Sequence, residues 1–533
     1  MRKLLVVLLI AASASANEIS YRSLQSGWIG SGTPVSDHGI HGEGQIVAVL
    51  DTGLDWQSCY FAESDNSRPP INTGSPSIGL AWENIDNSRR KVIAYDFLYS
   101  CDQFPGARDC DDPALANAYD NHGHGTHAAG SAVGDRGTPI FHDYGDAIAP
   151  GAKLIVQDAG LSASDTCTSR PGIGCPVNVT PALDQAYRQG ARIHSNSWGD
   201  HGAPAASYSQ SARDVDAFVD SHPDMLVVFN TGNYGQNGAP PPGSLSAPGA
   251  AKNSLQVGGT RESPGRDDGV LAGFSLVGPT RDGRIKPDVV GPAYVIAGDI
   301  ELDNNPATCD TSAQGGTSWA SPTIAGGAAL VRQYYTDGFY PSGMATAADR
   351  IIPSAALLKA TIIDAARPVP VRNLGTGRDI AALAVPSNEQ GFGFPVLDDA
   401  LYFSGDRAKL RIADVRSGLA QGESASIRID VRAGTQLKAV LVWTDPPGAQ
   451  LVNDLDLRVV TPSGQARFGN GSQRDRLNNV EAVTIDAPAT GSYTFSVDAT
   501  SITSGPRQSY ALVITGDFVS VTQESGKRRA ARH

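Results

Sequence analysis

The chain has 533 residues, enough for two or more domains with full-sized cores, and its formal net charge of -13 argues against nucleic acid or an anionic membrane surface as partner. An aromatic content of 7%, with 59 glycines and 34 prolines, suits a loop-rich globular protein, and no internal repeat or low-complexity tract suggests a fibrous or disordered one.

In chain order, Met1 to Ala16 carries Arg2 and Lys3, an apolar stretch from Leu4 to Ala12 and the small-residue site Ala14-Ser15-Ala16, the pattern of a cleaved secretion signal. No later apolar run reaches the ~18 residues of a spanning helix, so the expected product is secreted, extracellular and without a membrane anchor. Residues 17–40 form a short N-terminal extension. Gln45 to Leu50 is an apolar run ending in Asp51-Thr52-Gly53, which reads as a buried parallel strand, and the carboxyl end of such a strand is where α/β sheets place their sites. Residues 59–120 read as an irregular insertion. Its acidic residues Asp109, Asp111 and Asp112 could take calcium or simply be solvated. Asn121 to Gly130 sets His122, His124 and His127 among glycines just before a small-residue helix. Strand-like runs at 153–156, 225–229 and 254–257 alternate with helical stretches at 181–189 and 211–219. Over residues 41–403 this alternation predicts an α/β fold, a parallel sheet with helices on both faces.

Gly315-Gly316-Thr317-Ser318-Trp319-Ala320-Ser321-Pro322 then opens a small-residue helix. Small neighbours let other groups approach the Ser318 hydroxyl, and the positive end of the helix dipole points at whatever reacts there. Pro322 is expected in the first turn, where its missing N–H costs little. A serine is a weak nucleophile without a base in hydrogen-bond reach and a third group to orient that base, and the upstream Asp51 and the histidine cluster at His122, His124 and His127 can supply both.

After Gly391-Phe392-Gly393-Phe394-Pro395 the pattern changes. From 404 to 518, short runs of period two between Gly, Pro and Asn turns predict an antiparallel all-β sandwich or jelly roll. Asn453, Asp454 and Asp456 could bind a structural calcium or form a turn. Residues 519–533 form a basic tail. Six cysteines in an exported chain read as three disulfides, a pairing that sequence alone leaves open. Spacing favours Cys101 with Cys110 and Cys167 with Cys175, which leaves Cys59 with Cys309 to tie the segment after Asp51 to the approach to Ser318. Asn178 and Asn470 begin glycosylation sequons.

The motifs Asp51-Thr52-Gly53, His124-Gly125-Thr126-His127, Ser197-Trp198-Gly199, Gly232-Asn233 and Gly316 to Pro322 together resemble those of the subtilisin-like serine proteases, the subtilases. Weaker echoes lie at Ala149-Pro150-Gly151-Ala152 and at Gly278 to Asp288, and the likeness covers about residues 40–400. The resemblance implies a serine endopeptidase that hydrolyses protein or peptide substrates through an acyl-enzyme. Ser318 would be the nucleophile, His124 the base and acid, Asp51 the orienting carboxylate and Asn233 the oxyanion-hole amide. Ser197, Trp198 and Gly199 would bind an extended substrate by strand addition. His122 and His127 are expected to be structural. No cofactor is required for catalysis, and a monomer is expected.

Val442 to Pro447 and Leu451 to Leu457 resemble the C-terminal jelly roll of one branch of secreted subtilases, expected here to buttress the catalytic domain. The alternative is a catalytically silent subtilase fold acting as a binding or adhesion protein through the β domain. The sequence departs from the family at several points. Residues 17–40 leave no room for a usual inhibitory prodomain, so the chain folds unaided, is incomplete at its start, or relies on a short pro-segment. Trp319 stands where methionine is common and is expected to crowd the leaving-group side. Leu276 and Val277 replace Ser-Arg, and Gly291 and Ala293 alter Ala-Pro-Gly.

Overall fold

The computed structural model describes residues 16–27, 32–73, 84–98, 120, 123–137, 145–161, 172–173, 179–199, 205–234, 240–261, 269–298, 309–372, 379–380 and 384–524. The apolar run after Gln45 becomes the strand Ile46–Asp51, buried from Val47 onward. Its continuous burial is what a central parallel strand covered on both faces requires. It lies in the middle of a nine-stranded sheet, paired in parallel with Lys153–Asp158 on one side and Ile193–Asn196 on the other. Beyond Lys153–Asp158 come Val92–Phe97 and Ile71–Thr73, so the stretch 59–120, expected to be an irregular insertion, supplies two parallel strands of the sheet, one of them fully buried. Beyond Ile193–Asn196 come Leu226–Asn230, Leu255–Arg261 and, antiparallel at the edge, Val270–Leu271, with Val289–Pro292 also pairing in parallel to Leu255–Arg261.

Two helices carry the residues of interest, His124–Val133 and Thr317–Thr336, and they pack on each other and against the sheet. Gly326 lets them close up, since a Cβ there would lie 2.7 Å from the Ala132 carbonyl oxygen. Val179–Arg188 and Gln210–Ser221, near the predicted spans, form a second packed pair. The N-terminal extension begins with a helix, Ala16–Ser26, whose Ile19, Tyr21 and Leu24 are buried. The secretion-signal reading concerns residues outside those described, apart from Ala16. No described helix is long and apolar enough to cross a membrane.

The C-terminal region forms two antiparallel sheets. The first orders Lys409–Leu419, Gln508–Gly516, Leu437–Val442 and Val480–Ile485; the second orders Ala466–Phe468, Asn453–Val460, Gly491–Ile502, Ser424–Val431 and Phe518–Glu524. The strand Leu437–Val442 shows why period two fades in the first sheet. Leu437, Ala439 and Leu441 face the core between the two sheets, while Val440 and Val442 join the core of the α/β region. Both faces are buried, so the run Leu437 to Trp443 reads as nearly unbroken apolar sequence. The β region is therefore packed onto the α/β region through a shared core. The helix Ala355–Asp364 lies in that seam, against Leu437–Val442 and Gln508–Gly516. Lys438 donates to the carbonyls of Ile363, Asp364 and Ala366 at 2.8, 2.9 and 2.8 Å, a cation on a helix C-terminus where the dipole favours one. Nearby, Lys252 and Asp445 form a fully buried ion pair across the seam.

Candidate active site

Parallel register sets Asp51 level with Asp158 at the carboxyl end of the sheet. Asp51 is 1% exposed, and its Oδ1 accepts the Thr52 N–H at 2.8 Å. His124 comes to it on the first turn of its helix. That helix has no side-chain cap at Gly123, but Thr52 Oγ1 accepts the Gly125 N–H at 2.9 Å and Asp120 Oδ2 accepts the Thr126 N–H at 2.7 Å. Thr52 in turn donates to Asp120 Oδ1 at 2.8 Å, so the loop holding Asp51 and the helix holding His124 share one hydrogen-bond network. Gly125 makes the approach sterically feasible, since a Cβ there would sit 2.1 Å from the Gly53 carbonyl oxygen. The result is a 2.6 Å hydrogen bond between His124 Nδ1 and Asp51 Oδ1.

Burial pushes the His124 pKa down, but the charge and hydrogen bond of Asp51, helped by the charge of Asp120, outweigh it and leave the imidazole above its ordinary value. Asp158 behaves oppositely. Burial raises it to about 7, despite hydrogen bonds from Tyr95 Oη at 2.7 Å and the Gly160 N–H at 2.9 Å, and the charges of Asp120 and Asp51 add to the rise. Neither Asp120 nor Asp158 stands out in the sequence as part of this site. Only the Asp-x-Gly after a strand-like run at Asp158-Ala159-Gly160, a likeness to Asp51-Thr52-Gly53, hints at it.

Ser318 sits in the first turn of Thr317–Thr336 and is 8% exposed. Pro322 lies one turn further in than expected, inside the helix. It cannot donate to the carbonyl of Ser318, four residues back. The Ser197 hydroxyl takes that freed carbonyl at 2.6 Å, and the Ser318 hydroxyl donates to the Ser197 carbonyl at 3.3 Å. The proline thereby ties the serine to the segment Ser197-Trp198-Gly199.

Asn233 Oδ1 accepts both the backbone N–H of Thr317 at 2.8 Å and its hydroxyl at 3.0 Å. Because a backbone N–H needs an acceptor, this fixes the amide orientation and turns Nδ2 away, on an exposed side chain. The N–H of Ser318, in the first turn, has no intrahelical acceptor. Trp198 packs edge-on to Phe229. Between Gly199 and Gly232 sits Ser246, a residue no sequence motif marks: a Cβ on Gly199 would meet its Oγ at 2.5 Å, and one on Gly232 would meet it at 3.0 Å. Ser246 Oγ donates to the Thr231 carbonyl at 3.0 Å.

Trp319, expected to crowd the leaving-group side, lies buried against the two histidines. It is 3% exposed, and its ring centroid lies 4.7 Å from His124 and 4.2 Å from His127. His127 is buried with Nε2 3.1 Å from the Ser312 carbonyl oxygen, a structural placement; His122 lies outside the described residues. Leu276 and Val277 act through backbone, the Leu276 N–H donating to the Gly232 carbonyl at 3.2 Å and the Ser244 N–H to that of Val277 at 2.9 Å. Gly291 leaves room for Ile324, and the Ala293 carbonyl accepts the Gly316 N–H at 2.8 Å.

Cys59 and Cys309 are bonded with Cα atoms 5.2 Å apart, while Cys101, Cys110, Cys167 and Cys175 lie outside the described residues, as does the acidic insertion at 109–112. Asp454 pairs with Arg476, and Asp456 with Arg474 at 2.5 Å. Among the described residues no group of three or more His, Cys, Asp or Glu is placed to hold a metal ion. Asn470 donates its amide to Asp475 and to the Val480 carbonyl at 2.7 Å each, so its nitrogen is already engaged; Asn178 is outside the described residues.

An aspartate and a histidine paired at the carboxyl edge of a parallel sheet, with a serine on the adjoining helix whose neighbour packs on that histidine, match the architecture of an α/β serine hydrolase. Comparison with known families narrows this: residues 42–393 match the subtilase family, and the chain belongs to it. Among curated relatives it is similar to the serine protease/ABC transporter B family protein tagD of Dictyostelium discoideum, 26% identical over 625 residues, covering 90% of this chain and 32% of that one. It thus spans about a third of the length of that relative. Subtilisin Savinase of Lederbergia lenta is 27% identical over 223 residues, 42% of this chain and 67% of the other. Among solved structures, the serine protease of Aeromonas sobria aligns over 90% of this chain and 89% of its own at 16% identity, with a TM-score of 0.39.

Proposed function

We propose that this subtilase is a secreted serine endopeptidase in which Asp51, His124 and Ser318 form the catalytic triad. The observation that carries the reading is the 2.6 Å hydrogen bond from His124 Nδ1 to buried Asp51, which leaves Nε2 as the free basic nitrogen. In this reading the Ser318 side chain turns from the Ser197 carbonyl to present its hydroxyl to that nitrogen. The Ser318 proton passes to Nε2 as Oγ bonds the scissile carbonyl carbon, and the Asn233 amide with the Ser318 N–H stabilises the oxyanion. Collapse breaks the C–N bond, and the proton on Nε2 goes to the departing amine. Water, deprotonated by the same nitrogen, then hydrolyses the acyl-enzyme.

Substrate backbone would lie along Ser197-Trp198-Gly199 in extended form, with the side chain before the scissile bond reaching toward Ser246. No cofactor enters these steps. Calcium, if it stabilises the β region, would have to compete with Arg474 and Arg476 for Asp456 and Asp454.

Labelling of purified protein with a fluorophosphonate, wild type beside Ser318→Ala, with casein hydrolysis in parallel, tests the reading. Labelling and hydrolysis that both vanish in the variant support it. A folded wild type that neither labels nor hydrolyses overturns it in favour of a silent fold that binds through the β domain.

A further inference from the structure

The indole of Trp319 contacts His124 with ring centroids 4.7 Å apart and planes tilted by 43°. Burial confines it. His127, itself held at the Ser312 carbonyl, packs on the same indole with ring centroids 4.2 Å apart. The ring is almost fully buried, yet among the described residues its Nε1–H has no hydrogen-bond acceptor, a cost that an apolar side chain of similar reach would avoid. The packing alone therefore does not explain why an indole stands there.

Aromatic faces carry negative electrostatic potential and attract a neighbouring cation, indole most strongly, and burial weakens the screening by water. We propose that Trp319 is a positioning residue that acts through His124, its indole holding the imidazole in line and stabilising the imidazolium formed when His124 takes the Ser318 proton. This rests on the protease reading above. The other groups facing this imidazole are Asp51 on its strand and Asp120 ahead of the helix, with Asp158 beside Asp51 on the next strand and His127 across the indole. Trp319 adds a contact that discriminates between the two protonation states without adding charge.

The test is the titration of His124 by NMR with isotope-labelled histidine, in a Ser318→Ala background, comparing Trp319 with Trp319→Phe and Trp319→Met. The expected order of His124 pKa is Trp above Phe above Met, with a total fall of about half a unit for a contact of this kind. In the active chain the acid limb of kcat/KM should move the same way, with kcat reduced about threefold and KM little changed. A His124 titration that stays put in the folded variants overturns the proposal, and Trp319→Phe suffices if Trp319→Met does not fold. Because the titration needs no turnover, a wild type that fails to label overturns the protease reading alone.

Discussion

His124 must be neutral to accept a proton, and its pKa lies above the ordinary imidazole value of 6.5 because Asp51 and Asp120 outweigh burial. Activity should therefore fall as pH drops through a midpoint above 6.5, which a kcat/KM profile on a peptide substrate reads directly. The sign for stability is opposite. A raised histidine pKa contributes folding stability that is complete below 6.5 and lost as pH rises through the folded value. Asn233 makes a sharper residue-level prediction. Its Oδ1 is committed to Thr317 and its Nδ2 is turned away, so Asn233→Ala should lower kcat by roughly the hundred- to thousand-fold that losing such an amide costs in subtilisin, with little change in KM. A kcat within threefold of wild type would remove Asn233 from the oxyanion hole. The sequence singles out Asp51, His124, Asn233 and Ser318 as candidates because the motifs that hold them are short local strings. It does not single out Asp158, Ser246 or the contacts of Trp319, because each acts through neighbours far away in sequence.

At the scale of elements, the site depends on how closely the His124–Val133 helix can press on the loop after Ile46–Asp51. Gly125→Ala places a Cβ against the Gly53 carbonyl, and a backbone oxygen cannot rotate aside. The helix must move off, opening the 2.6 Å bond to Asp51, at a stability cost on the order of 1–3 kcal/mol for such overpacking. Loss of fluorophosphonate labelling together with a lower melting temperature is the expected result. Retained labelling would show that the loop can yield. Strand and helix periods located these elements, but Pro322 was misplaced by a turn. Helix propensity favours proline at the start, while here the Ser197 hydroxyl, just past the strand Ile193–Asn196, takes up the carbonyl that the proline leaves unpaired.

For the whole molecule, the decisive feature is the seam between the α/β region and the β sheets. Lys252 and Asp445 are both fully buried, and Lys252 also donates to the carbonyls of Pro446 and Gln450. Lys252→Met leaves an uncompensated buried carboxylate, so urea unfolding should show a loss of about 3–5 kcal/mol, and adding Asp445→Leu should restore part of it. No recovery in the double variant would mean the seam is held by the shared apolar core and the carbonyl contacts instead. At this seam the β sheets bury Val440, Val442, Ala511 and Val513 in the same core as the helices.

The α/β alternation, the change to antiparallel strands after residue 404 and the short motifs that carry the candidate chemistry were all readable along the chain, because periodicity, turn residues and local strings are properties of adjacent positions. Three-dimensional packing was needed to show that the β sheets share a core with the α/β region, that Asp120 and Thr52 lock the histidine helix to the aspartate loop, and that Trp319 packs against the imidazole. Those outcomes depend on which faces meet and on which buried polar groups find partners across many residues of chain, and no local pattern encodes either.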